Sequence, residues 1–347
     1  MENFVFESKS EFILESGKKL SGLKINYSAA GKLNQQGDNV IWICHALTAN
    51  SDVSAWWEGM IGAGKIFDTS KYFVVCANIL GSCYGTTGPI ELNPDTAKPY
   101  FGSFPQVTIR DMVECHEILR NHLKIKSIHT CIGGSLGGQQ ALEWAIIQPD
   151  LILNLILLAT NAFHSPWGIA FNESQRMAIK ADPTWTEERV DAGREGLKAA
   201  RAIALLSYRN YYTYECSQSE EDYNKTDEFK SSSYQQYQGE KLVNRFNCHS
   251  YLILSKAMDS HNVGRGRNGV VNALSSVKAK TLVIGIKSDV LFPVSEQIFL
   301  SEHIPYAIYK EIDSIYGHDG FLIETERIQS LISEFYALDK AAVRSIA

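Results

Sequence analysis

Cys131-Ile132-Gly133-Gly134-Ser135-Leu136-Gly137-Gly138 is the stretch whose reading decides the fold. The stretch Ser127 to Ile132 leads into it and reads as a strand. Leu136 to Ile147 follows and predicts a helix. Between them sits G-x-S-x-G with Ser135 at its centre. A serine on a tight strand-to-helix turn has crowded neighbours, and glycines at 133 and 137 remove the side chains that would clash. The hydroxyl then stands at the end of a sheet, and the next backbone N–H faces any oxygen that reacts there. A helix N-terminus adds a field that favours negative charge. Glycine-rich strand–helix turns also occur without catalysis, so this turn by itself leaves the chemistry open.

Outward from the turn, the same alternation repeats. Val40-Ile41-Trp42-Ile43-Cys44, Tyr72 to Ala77, Asn154 to Ala159 and Thr281 to Ile286 are continuous apolar runs, the mark of strands covered on both faces. Ala307 to Ile312 reads as the last strand. Helices are expected from Thr108, where Thr108-Ile109-Arg110-Asp111 resembles a capping box, and from about 324 to 340. Strand, helix, strand in alternation indicates an α/β fold with a mostly parallel sheet and helices on both faces. Residues 1–30 read as edge strands, and 85–105, rich in proline and glycine, as an ordered surface loop. From 165 to 275 no strong strand pattern occurs; helical stretches such as Arg194 to Leu206 dominate, and the polar segment 214–238 reads as helix–loop or partly mobile. The expected organisation is a core of 1–164 and 276–347 interrupted by a helical lid at 165–275.

Composition excludes several classes. The 347 residues are 45% hydrophobic and 21% charged, ordinary for a globular chain. A net charge of −6 leaves no basic excess for nucleic acid. No apolar run approaches a membrane span, and the N-terminus is not a signal peptide. The seven scattered cysteines (44, 76, 83, 115, 131, 216 and 248) read as free thiols in a reducing, cytoplasmic compartment, with Cys44 and Cys131 as packing residues. No zinc-type spacing is present, so no metal or cofactor is expected.

Reactive groups in an open parallel sheet gather at the carboxyl ends of its strands. Ser135, Asp289 and His318 each follow a predicted strand end, in the order Ser…Asp…His used by α/β hydrolases. His318 can take the serine proton and pass it to a leaving group, while Asp289 holds the imidazole tautomer. The oxyanion of an attacked carbonyl needs two donors: the N–H of Leu136, and that of Leu47 in the loop His45-Ala46-Leu47-Thr48.

At this point HALTANSD, CIGGSLGGQQALEWA, NESQRMAI, SYLILSKAMDSHNVGRGR, SDVLFP and YGHDGFL together resemble the homoserine O-acetyltransferase family, over about residues 20 to 335. The resemblance implies an α/β-hydrolase fold with a helical lid. It also implies a homodimer, and transfer of the acetyl group of acetyl-CoA, a co-substrate, to L-homoserine in methionine synthesis. It places the nucleophile on Ser135, the acid on Asp289 and the base on His318. Through the motif Ala200 to Tyr208 it assigns the homoserine carboxylate to Arg201 aided by Tyr208, and the amino group to Asp319. The apolar neighbours of Arg201 suggest that it is buried and paired. Arg265 and Arg267 are expected either to meet CoA phosphates or to tie lid to core. The chain differs from the family at Leu136, at Gly320 and at Asn247-Cys248-His249. Succinyl-CoA as donor, L-serine as acceptor, an esterase or thioesterase, and a silent hydrolase-fold protein stay open. Homoserine and serine differ by one methylene, worth only about 1–3 kcal/mol.

Overall fold

The computed structural model describes residues 1–339. Eight strands form one sheet: β1 (Glu2–Ser8), β2 (Leu23–Ala30), β3 (Val40–Cys44), β4 (Phe73–Ala77), β5 (Ile128–Gly134), β6 (Ile152–Leu158), β7 (Lys280–Ile286) and β8 (Ala307–Ile312). Their spatial order is β1-β2-β4-β3-β5-β6-β7-β8. Only the pairings of β2, with β1 and with β4, are antiparallel. Those of β3 to β8 are parallel.

The unbroken apolar runs follow from burial of both faces. Along β3, Trp42 and Cys44 point into one core, and Ile41 and Ile43 into the other. The first core is closed by Met112 and Leu119 of α1 (Ile109–His122) and by Leu142 and Trp144 of α2 (Leu136–Ile147). The second is closed by Trp57 and Phe67. Each fully buried aliphatic or aromatic side chain here is worth about 1.5–3 kcal/mol. The Thr108 box is formed at the start of α1: Thr108 Oγ1 accepts from the Asp111 N–H, and Asp111 accepts from the Thr108 N–H at 2.8 Å.

Between β6 and β7 the elements are helical: α3 (Pro166–Ala181), α4 (Arg194–Tyr208), α5 (Tyr211–Gln218), α6 (Lys230–Val243), α7 (Cys248–Asp259) and α8 (Val270–Ser275). Three more, α9 (Val294–His303), α10 (Gly320–Ile323) and α11 (Thr325–Ala337), follow β7 and β8. Ile328, Ile332 and Phe335 of α11 complete the second core.

Some boundaries differ from expectation for visible reasons. β5 runs two residues past Ile132 because Gly133 and Gly134 still pair with Leu157 and Leu158 of β6. β2 is not an edge strand; β1 covers it. The 85–105 stretch is not merely a surface loop. Thr86 and Thr87 are buried and accept from the N–H groups of Asn26 and Lys24 on β2, at 3.0 and 2.8 Å, and Leu92–Asn93 pairs with Lys98–Pro99. Residues 214–238 fold as the end of α5, a loop, and most of α6. The end of the expected closing helix at 340, and the last residues of the expected second core segment, lie outside the described residues. Among the described residues no helix is long and apolar enough to cross a membrane.

Candidate active site

Ser135 occupies the turn with φ 57° and ψ −128°, a left-handed conformation that non-glycine residues rarely adopt. Hydrogen bonds hold it there. Its N–H donates to the Leu158 carbonyl at 3.0 Å, and its carbonyl accepts from Gly138 and Gln139 N–H and from Thr160 Oγ1 at 2.9, 3.1 and 2.8 Å. The glycines are needed for close approach. A Cβ on Gly133 would stand 2.2 Å from the Gly137 carbonyl oxygen, and one on Gly137 would stand 2.1 Å from that of Cys44.

His318 sits in the loop after β8, and Asp289 in the loop after β7. The His318 Nδ1–H donates to Asp289 Oδ2 at 2.6 Å. The other carboxylate oxygen accepts the N–H groups of Leu291 and Phe292 at 2.8 and 2.9 Å, so Asp289 is anchored by its own loop. The imidazole is clamped between aromatic rings. Phe292 stacks on it at 5.0 Å between centroids, and Phe321 meets it edge-on at 5.3 Å. With Nδ1 occupied, Nε2 is the nitrogen left to take a proton. His318 and Ser135 line the same cavity, of about 450 Å³. No hydrogen bond joins Nε2 to the serine hydroxyl; catalytic contacts of this kind commonly tighten on substrate binding.

Leu47 lines the cavity too. The Leu136 N–H lies in the first turn of α2, where the helix supplies no partner for it. The buried Gln140 side chain links the two segments: its Nε2 donates to the carbonyls of His45 and Leu136, at 3.2 and 3.1 Å, while its Oε1 accepts from His116 Nε2 at 2.9 Å. Gln140 was not singled out from sequence, although it stands one helical turn beyond Leu136. His45 is structural: its Nδ1–H donates to the Ala46 carbonyl at 2.8 Å and its Nε2 accepts from Ile79 N–H at 3.2 Å. Burial pushes it down to about 4, so it stays neutral.

The segment between β6 and β7 roofs the cavity with Arg201, Tyr208 and Arg209. Gly317, at φ +60°, lets the end of α4 approach the histidine loop: a Cβ there would meet the Arg209 carbonyl carbon at 2.9 Å. Tyr208 lies between two cavity groups, with the Arg201 guanidinium 5.4 Å from its ring centroid and the His318 ring at 5.8 Å. Arg201 is not the buried, paired arginine expected from its neighbours. It is half-buried, and among the described residues no carboxylate lies within ion-pair distance of it. The α4 face that carries it looks into the cavity rather than into a core. Asp319 lines the cavity and is already ion-paired with Arg209, at 2.8 Å. Burial pushes its carboxyl up, and Arg209 and Arg201 pull it down only in part. Arg209 was missed from sequence, where only its place directly after Tyr208 marks it.

Arg265 and Arg267 stand elsewhere. Arg265 pairs with Glu15 at 2.8 Å and Arg267 with Glu143 at 2.5 Å, so both tie the segment after α7 to the sheet-bearing part of the chain. Asn247-Cys248-His249 is satisfied locally: Asn247 caps α7 and His249 bonds the Arg189 carbonyl. All seven cysteines are unpaired, and only Cys216 is exposed. Among the described residues no cluster of histidine, cysteine and acidic groups could hold a metal ion.

A polar chain runs behind the Ser135 turn. Gln139 donates to Asn161 at 2.9 Å, and Asn161 donates to Glu296 at 3.0 Å. Burial, reinforced by nearby Asp289, pushes the Glu296 carboxyl up to about 7, against the pull of its hydrogen bonds from Asn161 and Ser165. The folded chain therefore keeps a proton that the unfolded chain releases near the ordinary value of 4.5. Between those limits the folded state binds more protons at this group, so its contribution to stability falls as pH rises and levels off above about 7. Glu296→Gln keeps the acceptor without the charge. It is expected to gain about 1–2 kcal/mol relative to the parent chain between pH ~5 and pH ~8. Denaturant melts across that range check this, and parallel pH profiles for the two proteins contradict it.

The α/β-hydrolase-fold family profile matches residues 39–325. A homoserine O-acetyltransferase of Cyclobacterium marinum is 51% identical over 336 residues, covering 97% of this chain and 95% of the relative. One from Trichormus variabilis is 44% identical, covering 93% and 91%. Among solved structures, a homoserine O-acetyltransferase from Bacillus anthracis superposes with a TM-score of 0.91 at 26% identity, covering 98% of this chain and 99% of that one. Esterase E22 superposes at 0.88 with 24% identity, covering 96% and 99%, which speaks for the fold alone.

Proposed function

The chain belongs to the homoserine O-acetyltransferase family, of α/β-hydrolase fold, and from that membership we propose how it works. Ser135 attacks the thioester of acetyl-CoA while His318 Nε2 takes its proton. The N–H groups of Leu47 and Leu136 receive the oxyanion, and the Asp289 carboxylate stabilises the imidazolium. The tetrahedral intermediate collapses, the thiol of CoA leaves with the proton from His318, and Ser135 carries the acetyl group. L-Homoserine then enters, His318 takes the proton of its hydroxyl, and the acetyl group passes to that oxygen. Ser135 regains its proton, and O-acetylhomoserine departs. Water is the competing nucleophile, and the helical roof limits its access.

One observation carries the acceptor assignment: the Arg201 guanidinium, without a carboxylate partner among the described residues, lines the cavity that holds Ser135 and His318. A guanidinium suits a substrate carboxylate. Asp319, raised by burial and shared with Arg209, suits the ammonium group at the other end of a small zwitterion. Arg201→Ala is expected to raise the homoserine KM about 10²-fold, the cost of losing a charged partner. The acetyl-CoA KM should hardly move. Equal shifts in both would end the assignment.

The reaction itself is tested by offering acetyl-CoA and succinyl-CoA, each with L-homoserine, L-serine or no acceptor, and following thiol release and product mass. Release that depends on homoserine and on the acetyl donor is the expected result. Release indifferent to the acceptor would mark a hydrolase. The same reading carries a cytoplasmic homodimer. Leu206, Tyr211, Tyr212 and Tyr237, exposed on the helical segment, supply apolar surface for such contact.

A further inference from the structure

The cavity above Ser135 is lined by four cations, Arg201, Arg209, Lys241 and Arg245, and by one carboxylate, Asp319. This stands against the average of a chain with net charge −6. Arg209 is matched by Asp319. Arg201 is matched by the single carboxylate of homoserine, if the proposed function holds. Lys241 and Arg245 remain, and the acceptor brings no further negative charge for them.

Neither has an acidic partner among the described residues. Lys241 is exposed in the last turn of α6, with no ion pair. Arg245 lies just beyond that helix. Its guanidinium donates to the carbonyl and hydroxyl of Thr48 and to the Tyr84 hydroxyl, all neutral groups that fix its position without cancelling its charge. A cation near a helix C-terminus is favourable by itself. That effect accounts for one charge at this end of α6, and does not account for both facing the reaction chamber. Thr48 follows Leu47 directly, so Arg245 is braced against the loop proposed to receive the oxyanion.

A thioester donor that brings several negative charges of its own completes this arrangement. We propose that Lys241 and Arg245 form a phosphate subsite on the exposed side of the catalytic cavity, and that it holds the phosphates of the CoA carrier while the thioester lies at Ser135. This deepens the proposed function and rests on it. It stands in place of Arg265 and Arg267, for which that task was one of two the sequence left open, and which are engaged by Glu15 and Glu143. Phosphate favours such point charges and guanidinium forks.

Acetyl-CoA and S-acetylpantetheine, which has the same thioester arm and no phosphate, are compared as donors at saturating homoserine. The parent chain, Lys241→Ala, Lys241→Glu and Lys241→Arg are measured with each. Lys241→Ala is expected to raise the acetyl-CoA KM about tenfold, the size of one charge-assisted contact. Lys241→Glu should raise it further, and Lys241→Arg should restore it. None should change kcat/KM for S-acetylpantetheine. Added salt should raise the acetyl-CoA KM of the parent chain more than that of Lys241→Ala. Arg245→Ala, which also frees Thr48, is read only as the ratio of its losses on the two donors, and the loss on acetyl-CoA should be the larger. Equal losses on both donors, or an unchanged acetyl-CoA KM in Lys241→Ala and Lys241→Glu, overturn the subsite. Absence of homoserine-dependent thiol release from acetyl-CoA by the parent chain overturns the underlying reaction instead, and is seen before any variant is made.

Discussion

Ser135→Ala is expected to lose homoserine-dependent thiol release from acetyl-CoA by roughly 10⁵- to 10⁶-fold, with the fold intact. The size follows from the role. Without the hydroxyl the proposed acetyl-enzyme cannot form, and the proposed base and oxyanion donors have no nucleophile to serve. What survives is the background that oxyanion donors and substrate binding supply together. The fold should persist because the strained turn is held by backbone groups. The Ser135 N–H, its carbonyl and the flanking glycines all remain in the variant. Ser135 lines the cavity, so its hydroxyl is lost from a cavity wall and not from the packed core. A melting temperature near that of the parent chain, together with the lost rate, is the expected pair. Substantial turnover in the folded variant would remove Ser135 as nucleophile.

Asp289→Asn should cost about 10⁴-fold in kcat while leaving both KM values nearly unchanged. The carboxylate accepts the His318 Nδ1–H at 2.6 Å and so leaves Nε2 free for the proposed role of base. An amide placed there can present its N–H instead, which favours the tautomer with the proton on Nε2 and takes away the base. It also loses the negative charge that steadies the imidazolium during proton transfer. The amide oxygen can still accept the Leu291 and Phe292 N–H groups, so the loop after β7 should keep its shape. Measuring kcat and both KM values separates the two roles. A large rise in KM with kcat preserved would make Asp289 a binding residue and take it out of the proton relay.

Much of this was legible in the chain, for reasons that can be named. Strands buried on both faces read as unbroken apolar runs, and the observed Trp42/Ile43 division between two cores is why β3 showed no alternation. The Ser135 turn was legible because backbone crowding at Gly133 and Gly137 leaves a fixed spacing in sequence. Ser135, Asp289 and His318 could be read because each lies where a strand ends, and a parallel sheet brings such ends together. The cavity wall was less legible. Arg201 has apolar neighbours on both sides in sequence, yet α4 turns it toward an open chamber, and local composition does not record which face of a helix covers a hollow. Lys241 and Arg245 stand four residues apart at the end of α6, but Arg209 joins them only by tertiary packing, with no spacing rule that links it to them. Gly317 shows the limit from the other direction. Its glycine could be read as a turn, but the reason for it, the close approach of the α4 end, is a contact between residues 108 positions apart at Arg209 and Gly317 (317 − 209).

The central claim is an acetyl group carried on Ser135 between two half-reactions. It is tested most directly by mixing the enzyme with acetyl-CoA in the absence of homoserine, quenching in acid, and mapping the peptides by mass. The mechanism predicts one acetyl group on the peptide that contains Ser135, discharged to O-acetylhomoserine when homoserine is added before the quench. An unmodified Ser135 peptide, in enzyme that turns over normally once both substrates are present, would contradict it.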